Sequence, residues 1–290
     1  MTFQTCTKVN IGLHVLRRRP DGYHDLDTLF VPYPGFFDIL TVEPAERTEI
    51  GIDFGGAQQW DPQKDLTIQA WRLLKADFPE LPEVSIRLVK GAPVGAGLGG
   101  GSADAAYMLK ALDAIGNLGL GNSDLAAYAA RLGSDCAFFS HLKNAPIIPL
   151  HPQGTDGSTP PTPPVAYAPN VCQAMLGSGR GEVLEPFEID LSDFDLRVEI
   201  PLDAASGLPV AVSTREAYAG IAPDSSRPPL RELLASPVEA WKNLIVNDFE
   251  KSVFAAHPEI AALKQKFYED GAIYAAMSGS GSAVFGLFPK

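Results

Sequence analysis

Cysteine is scarce in this chain. Cys6, Cys136 and Cys172 are its only three, too few and too scattered for a disulfide framework or a zinc site. Long apolar runs are missing as well: none approaches the ~20 residues that a membrane span needs. The first residues carry no charged-then-apolar leader pattern, so the expected setting is the reduced cytoplasm. Basic charge is also in deficit. With 23 Lys and Arg against 35 Asp and Glu, the net charge is −12. That argues against a general nucleic-acid binder, whose affinity rests on neutralising phosphates. What remains is an ordinary apolar share of 46% in 290 residues, enough for two domains with cores of their own. No internal repeat is visible.

The most informative stretch is residues 92–106, where Gly95, Gly97, Gly99, Gly100 and Gly101 lie between Pro93 and Ser102. Before it, in residues 84–89, Val84, Ile86 and Leu88 alternate with Ser85 and Arg87, as in a half-buried strand. After it, Ala-rich residues 103–115 predict a helix with Leu109 and Leu112 on one side. Strand, glycine loop and helix start together make an anion site, because bare N–H groups and the helix dipole face the ligand. A flexible Gly/Ser linker is the bland alternative, and it fits poorly between a strand and a helix. The loop lacks the Lys-Ser/Thr ending of a Walker A loop. It also lacks a well-spaced acid after a dinucleotide fingerprint. It therefore predicts a nucleotide-phosphate loop of neither type.

Elsewhere, residues 3–16 predict a strand with Val9, Ile11, Leu13 and Val15 on one face. Lys8, Asn10, Gly12 and His14 share the other, which reads as a solvated face. Further strands are predicted at 38–42, 49–54, 84–89, 196–200, 210–212, 272–277 and 283–288. Helices are predicted at 66–78, 118–132 with Ser123 as N-cap, 214–220, 230–235, 238–256 and 259–270. Asp135, in Ser134-Asp-Cys-Ala137, is either an N-cap or a functional acid near a core, and its surroundings alone favour the cap. Residues 143–171 are dense in proline and predict an extended surface insertion. Mixed elements in both halves give an α+β class.

Three segments, in order and at their spacing, resemble the motifs of the GHMP kinase superfamily. They are Lys8-Val-Asn10 with Arg19-Pro-Asp-Gly-Tyr-His24, then residues 93–106, then Ser278-Gly-Ser-Gly-Ser282. Leu132-Gly-Ser-Asp135 and Asn247-Asp-Phe-Glu250 resemble the branch that phosphorylates the 2-hydroxyl of a cytidine-diphosphate-linked methylerythritol. The resemblance spans nearly the whole chain apart from 143–171. It implies a two-domain α+β GHMP kinase fold: a ribosomal-protein-like N-terminal domain over 1–171 and a ferredoxin-like domain over 172–290. It also implies ATP as co-substrate with Mg²⁺, a small-molecule substrate, no nucleic acid or membrane partner, and a monomer or homodimer.

The resemblance also implies roles for residues. Asp135 takes the position of the catalytic aspartate, which overturns the cap reading, and Lys8 that of its electrostatic partner. Asn10, Tyr23, His24, Thr214 and Tyr218 would bind the substrate, Tyr23 and Tyr218 sandwiching the cytosine. Asp65, Pro93, Val94, Gly95, Ala96, Gly97, Leu98, Gly99, Gly100, Gly101, Ser102 and Ala103 would hold ATP. Gly279, Ser280 and Gly281 would close the site. Asp65 stands where the family often has Asn, and a carboxylate cannot donate to a ring nitrogen. Kinases of mevalonate, phosphomevalonate or homoserine share the loop but are not expected to carry Tyr23-His24 with Tyr218. A non-catalytic RNA binder conflicts with the acidic charge and the Lys8/Asp135 pair, while a pseudokinase that binds nucleotide without turnover is separated from an enzyme by assay.

Overall fold

The computed structural model describes residues 1–56, 59–142, 173–203 and 205–290. The insertion expected at 143–171, and Cys172, lie outside them. One sheet has the order β1 (Thr2–Gln4), β4 (Ile39–Pro44), β6 (Val84–Val89), β5 (Glu49–Asp53), with β5 and β6 parallel. Helices α1 (Leu66–Asp77), α2 (Gly100–Gly116), α3 (Asn122–Leu132) and α4 (Cys136–His141) close its core, with Leu40, Val42, Ile86 and Leu88 against Leu109, Leu112, Phe138 and Phe139. Each fully buried side chain of this size is worth about 1.5–3 kcal/mol.

A second, antiparallel sheet runs β2 (Thr7–Arg18), β3 (His24–Tyr33), β7 (Ala174–Ser178), β8 (Val183–Phe187). β7 and β8 thus complete a sheet begun before residue 171, so the expected division at 171/172 does not coincide with a break between sheets. The third sheet is β10 (Tyr274–Met277), β11 (Val284–Pro289), β9 (Phe194–Glu199). Around it lie α5 (Thr214–Ala219), α6 (Leu230–Leu234), α7 (Val238–Leu244), α8 (Glu250–Ala256) and α9 (Pro258–Glu269). Val9, Ile11, Leu29 and Val31 pack with Trp241, Tyr274, Phe285 and Leu287 of this layer.

Several expectations fail for physical reasons. The opening strand divides into β1 and β2 around Thr5 and Cys6 because it changes partners: β1 pairs with β4, and from Thr7 onward β2 pairs with β3. Ser123 is not an N-cap: α3 starts after Gly121, whose N–H donates to Asp124 Oδ2 at 3.0 Å. Residues 210–212 form no strand and are preceded by an isolated Leu202–Pro209 bridge. The helix expected over 238–256 divides into α7 and α8, because the backbone around Asn247 turns to bond Leu13 of β2.

The polar face of β2 is not solvated either. Lys8 and Asn10 are each 2% exposed, and His14 is 1% exposed. Neither ring nitrogen of His14 has a hydrogen-bond partner among the described residues. Burial lowers its pKa, with Asp248 opposing, Arg227 adding, and Asp27 and Asp224 opposing. A base lowered on folding binds its proton more readily when unfolded, so stability rises with pH through 6.5 and falls below it. His14→Leu is expected to flatten that slope and to add about 1–3 kcal/mol at acid pH by removing unsatisfied polar atoms. Urea unfolding at pH 5.5 and 7.5 measures both.

Candidate active site

The glycine loop turns from β6 into α2. Helix α2 begins at Gly100, three residues earlier than the alanine pattern suggests, with Gly99 as its N-cap at φ 73°. Gly97, at φ 75°, is the tightest point: an added Cβ would lie 2.1 Å from the Ser278 carbonyl oxygen. Only a residue without a side chain lets the loop meet the turn at 278–281 so closely. Lys8 Nζ donates to the Gly97 carbonyl at 2.8 Å and to Asn10 Oδ1. It also stands 3.3 Å from Asp135 Oδ2. The other end of the Asn10 amide donates to Thr28 Oγ1 at 3.0 Å, which fixes its orientation.

Asp135 precedes α4 but makes no side-chain cap bond. Its carboxylate pairs with Lys8 instead, at the mouth of a cavity of about 1040 Å³. That cavity is lined by Lys8, Asn10, Tyr23, His24, Asp65, Asp135, Thr214 and Tyr218, by all of 93–102, and by Gly279 and Ser280. Ala103 and Gly281 are not on its wall. Ala103, in the first turn of α2, faces the core, and Gly281 lies against Met277.

Tyr23 and Tyr218 have protein neighbours of their own. The rings that stack are His24 and Tyr218, with centroids 4.8 Å apart and planes at 20°. Phe249 meets Tyr218 edge-on at 4.7 Å. Tyr23 is instead 55% exposed, with the Arg180 guanidinium 4.9 Å from its ring centre. Burial, and then the Asp135 charge, push the Tyr218 phenol up to about 12. Burial, then Arg18, lower the His24 pKa, favouring the uncharged ring. Asp65 caps α1: Oδ1 accepts from Thr67 N at 2.9 Å, and Oδ2 accepts from Trp60 Nε1 at 3.1 Å. Its two oxygens are already engaged, and it orients Trp60 on the cavity wall.

The residue-by-residue reading missed Trp60, Lys90, Arg180 and Arg215 on that wall. Lys90 is buried, bonded to Asp38 and, at 2.8 Å, to Asp104 Oδ2. Asp38 Oδ1 in turn accepts from Gly91 N at 2.7 Å and from Ala92 N at 2.8 Å, fixing the entry to the loop. Burial and then the Asp38 charge raise the Asp104 carboxyl, while Lys90 pulls it back. Arg180 had a cue, since it stands in a further glycine-rich run, Met175-Leu-Gly-Ser-Gly-Arg-Gly-Glu182. The Lys90 cluster joins residues far apart in the chain and had none.

The chain is similar to known kinases along nearly its whole length. Residues 65–147 match the model of the GHMP kinases N terminal domain, and 230–290 match that of the GHMP kinases C terminal. A 4-diphosphocytidyl-2-C-methyl-D-erythritol kinase of Azobacteroides pseudotrichonymphae genomovar. CFP2 is 40% identical, over 98% of this chain and 91% of that protein. Its counterpart from Parabacteroides distasonis is 40% identical, over 98% and 90%. A crystal structure of 4-(cytidine 5'-diphospho)-2C-methyl-D-erythritol kinase superposes with a TM-score of 0.70 at 29% identity, covering 99% of this chain and 90% of that one. With the loop, the Lys8–Asp135 pair and these relatives in agreement, the chain belongs to the 4-diphosphocytidyl-2-C-methyl-D-erythritol kinase family of GHMP kinases.

Proposed function

We propose that the chain transfers the γ-phosphoryl group of ATP to the 2-hydroxyl of 4-diphosphocytidyl-2-C-methyl-D-erythritol, a step of the non-mevalonate route to isoprenoid precursors. One observation carries the reading. A single cavity holds a phosphate loop, a Lys–Asp pair and, beyond them, a cluster of aromatic rings. An alcohol is a weak nucleophile, so a base beside it accelerates attack. Asp135 takes the hydroxyl proton as the oxygen bonds to the γ-phosphorus and the β–γ bridge breaks, leaving ADP. Lys8, fixed by three oxygens, offsets charge as the phosphoryl group moves. Asn10 orients the acceptor, and the first N–H groups of α2 take the ATP phosphates.

Mg²⁺ fits the same cavity. It would keep most of its shell from phosphates and water and would need only one or two protein oxygens, a place the Ser102 hydroxyl on the cavity wall would fill. Bound there, it would supply positive charge to the ATP phosphates. Trp60 and Asp65 frame the adenine end, and Gly279 to Gly281 close over the loop. The N-terminal portion, 1–171, handles ATP, and 172–290 completes the acceptor side through Thr214 and Tyr218. No described helix is long and apolar enough to cross a membrane. We assign the enzyme to the cytoplasm, where ATP and reduced thiols are at hand, acting on a small molecule and not on nucleic acid.

Cytosine stacks on the exposed Tyr23 ring, while His24, braced by Tyr218, reads its edge. A base–aromatic stack is worth about 1–3 kcal/mol, or about 5- to 150-fold. Tyr23→Ala is expected to raise KM for the cytidyl substrate within that range, with KM for ATP and kcat within about twofold. Steady-state kinetics with each substrate varied in turn decides. An unchanged KM would remove the base from Tyr23.

A further inference from the structure

The turn at 278–281 touches both halves of the reacting centre, and something must hold it there. Ser278 Oγ donates to the Gly97 carbonyl at 3.1 Å. An added Cβ at Gly279 would stand 3.2 Å from Lys8 Nζ and 3.4 Å from Asn10 Oδ1. On the opposite side of the turn lies the segment between α7 and α8. Asn247, 2% exposed, spends its whole side chain there. Nδ2 donates to the carbonyls of Met277 and Gly279, both at 2.8 Å, and Oδ1 accepts from Phe249 N at 2.9 Å. Three residues on, Glu250 Oε1 accepts from Met277 N at 2.8 Å, and Oε2 accepts from Lys264 Nζ at 2.6 Å.

The same segment is stitched to β2. Leu13 N donates to the Val246 carbonyl at 3.0 Å, and Asp248 N donates to the Leu13 carbonyl at 2.9 Å. Val15 N donates to Asp248 Oδ2 at 2.8 Å. One short stretch of backbone therefore references the turn to the strand that carries Lys8 and Asn10.

We propose that Asn247 and Glu250 are positioning residues for phosphoryl transfer: together they clamp the 277–279 backbone and set the distance from the closing turn to the Lys8–Asn10 pair and the phosphate loop. Neither touches a substrate, and both act through the turn. The proposal rests on the kinase reading above for its kinetic consequence, but not for its structural one. The bonds at stake are short and geometrically specific, those of Asn247 buried and those of Glu250 part-buried, and a displacement of about 1 Å at a reacting centre costs on the order of 10²-fold in rate.

The test compares wild type with Asn247→Ala, Glu250→Ala and Glu250→Gln by amide hydrogen exchange, thermal unfolding, and kinetics per folded enzyme. In both alanine variants, exchange at Gly281 and Ala283 is expected to accelerate at least tenfold, while α2 and the β10–β11 ladder keep their protection. kcat is expected to fall about 10²-fold in Asn247→Ala and about tenfold in Glu250→Ala, with KM for the cytidyl substrate within about threefold. Glu250→Gln keeps an acceptor for Met277 N and is expected to stay within about threefold of wild type. Unchanged exchange at 281 and 283 would overturn the clamp. Loosened exchange with unchanged kcat per folded enzyme would overturn the positioning role. If Asn247→Ala does not fold, the Glu250 pair answers the same questions. Wild type without turnover of the cytidyl substrate would sink the substrate reading, while exchange still judges the clamp.

Discussion

Asp135→Asn is expected to lower kcat for the cytidyl substrate by about 10²–10⁴-fold, the usual contribution of a positioned general base, while ATP affinity stays within about threefold. The asparagine fills the same volume at the entrance of α4 and disturbs no cap, because Asp135 makes no cap bond. Lys8 retains Gly97 O and Asn10 Oδ1 as acceptors, so its ammonium is not left unpaired. What is lost is the carboxylate that receives the hydroxyl proton and pairs with Lys8 at 3.3 Å. Rapid-quench single turnovers isolate the chemical step from product release. A loss smaller than tenfold would take the base role away from Asp135.

Gly97→Ala is expected to damage both stability and activity. Its backbone is left-handed, which costs an L-residue roughly 1–2 kcal/mol. The larger effect is steric, since the new methyl would lie 2.1 Å from Ser278 O and 3.0 Å from Gly281 N. The turn or the loop must then move, and Lys8 loses its bond to the Gly97 carbonyl. kcat/KM for ATP is expected to fall at least 10²-fold, and the unfolding midpoint by several degrees. Gly101→Ala, where an added Cβ meets nothing within 4 Å, is the matched control for stability. It lies within α2 and is expected to be neutral or to stabilise by about 0.5–1 kcal/mol. Calorimetry with initial-rate kinetics separates the two outcomes.

These predictions draw unequally on sequence and structure. The strand, loop and helix around Gly97 were legible because each announces itself locally. Val84, Ile86 and Leu88 alternate, glycines cluster, and alanines follow, and β6 and α2 lie accordingly. The depth of β2 was not legible. Alternation separates two faces but does not say whether the polar one meets water, and here a second layer covers Lys8 and Asn10.

The break between α7 and α8 was hidden for a related reason. Ile245 and Phe249 keep the apolar spacing of one helix, while the bonds that interrupt it run to Leu13, Met277 and Gly279. The Lys90–Asp38–Asp104 cluster likewise closes across 52 and 14 residues, beyond any local pattern. Tyr23 and Tyr218 were identified as aromatic wall residues. Their partners, Arg180 and His24, were set by packing.

The central claim is that one cavity couples cytosine recognition to phosphoryl transfer at Asp135. ADP release measures it most directly, with 4-diphosphocytidyl-2-C-methyl-D-erythritol, mevalonate and homoserine offered separately at equal concentration. The account predicts ADP release with the cytidyl substrate alone. Release with mevalonate or homoserine, and none with the cytidyl compound, would contradict it.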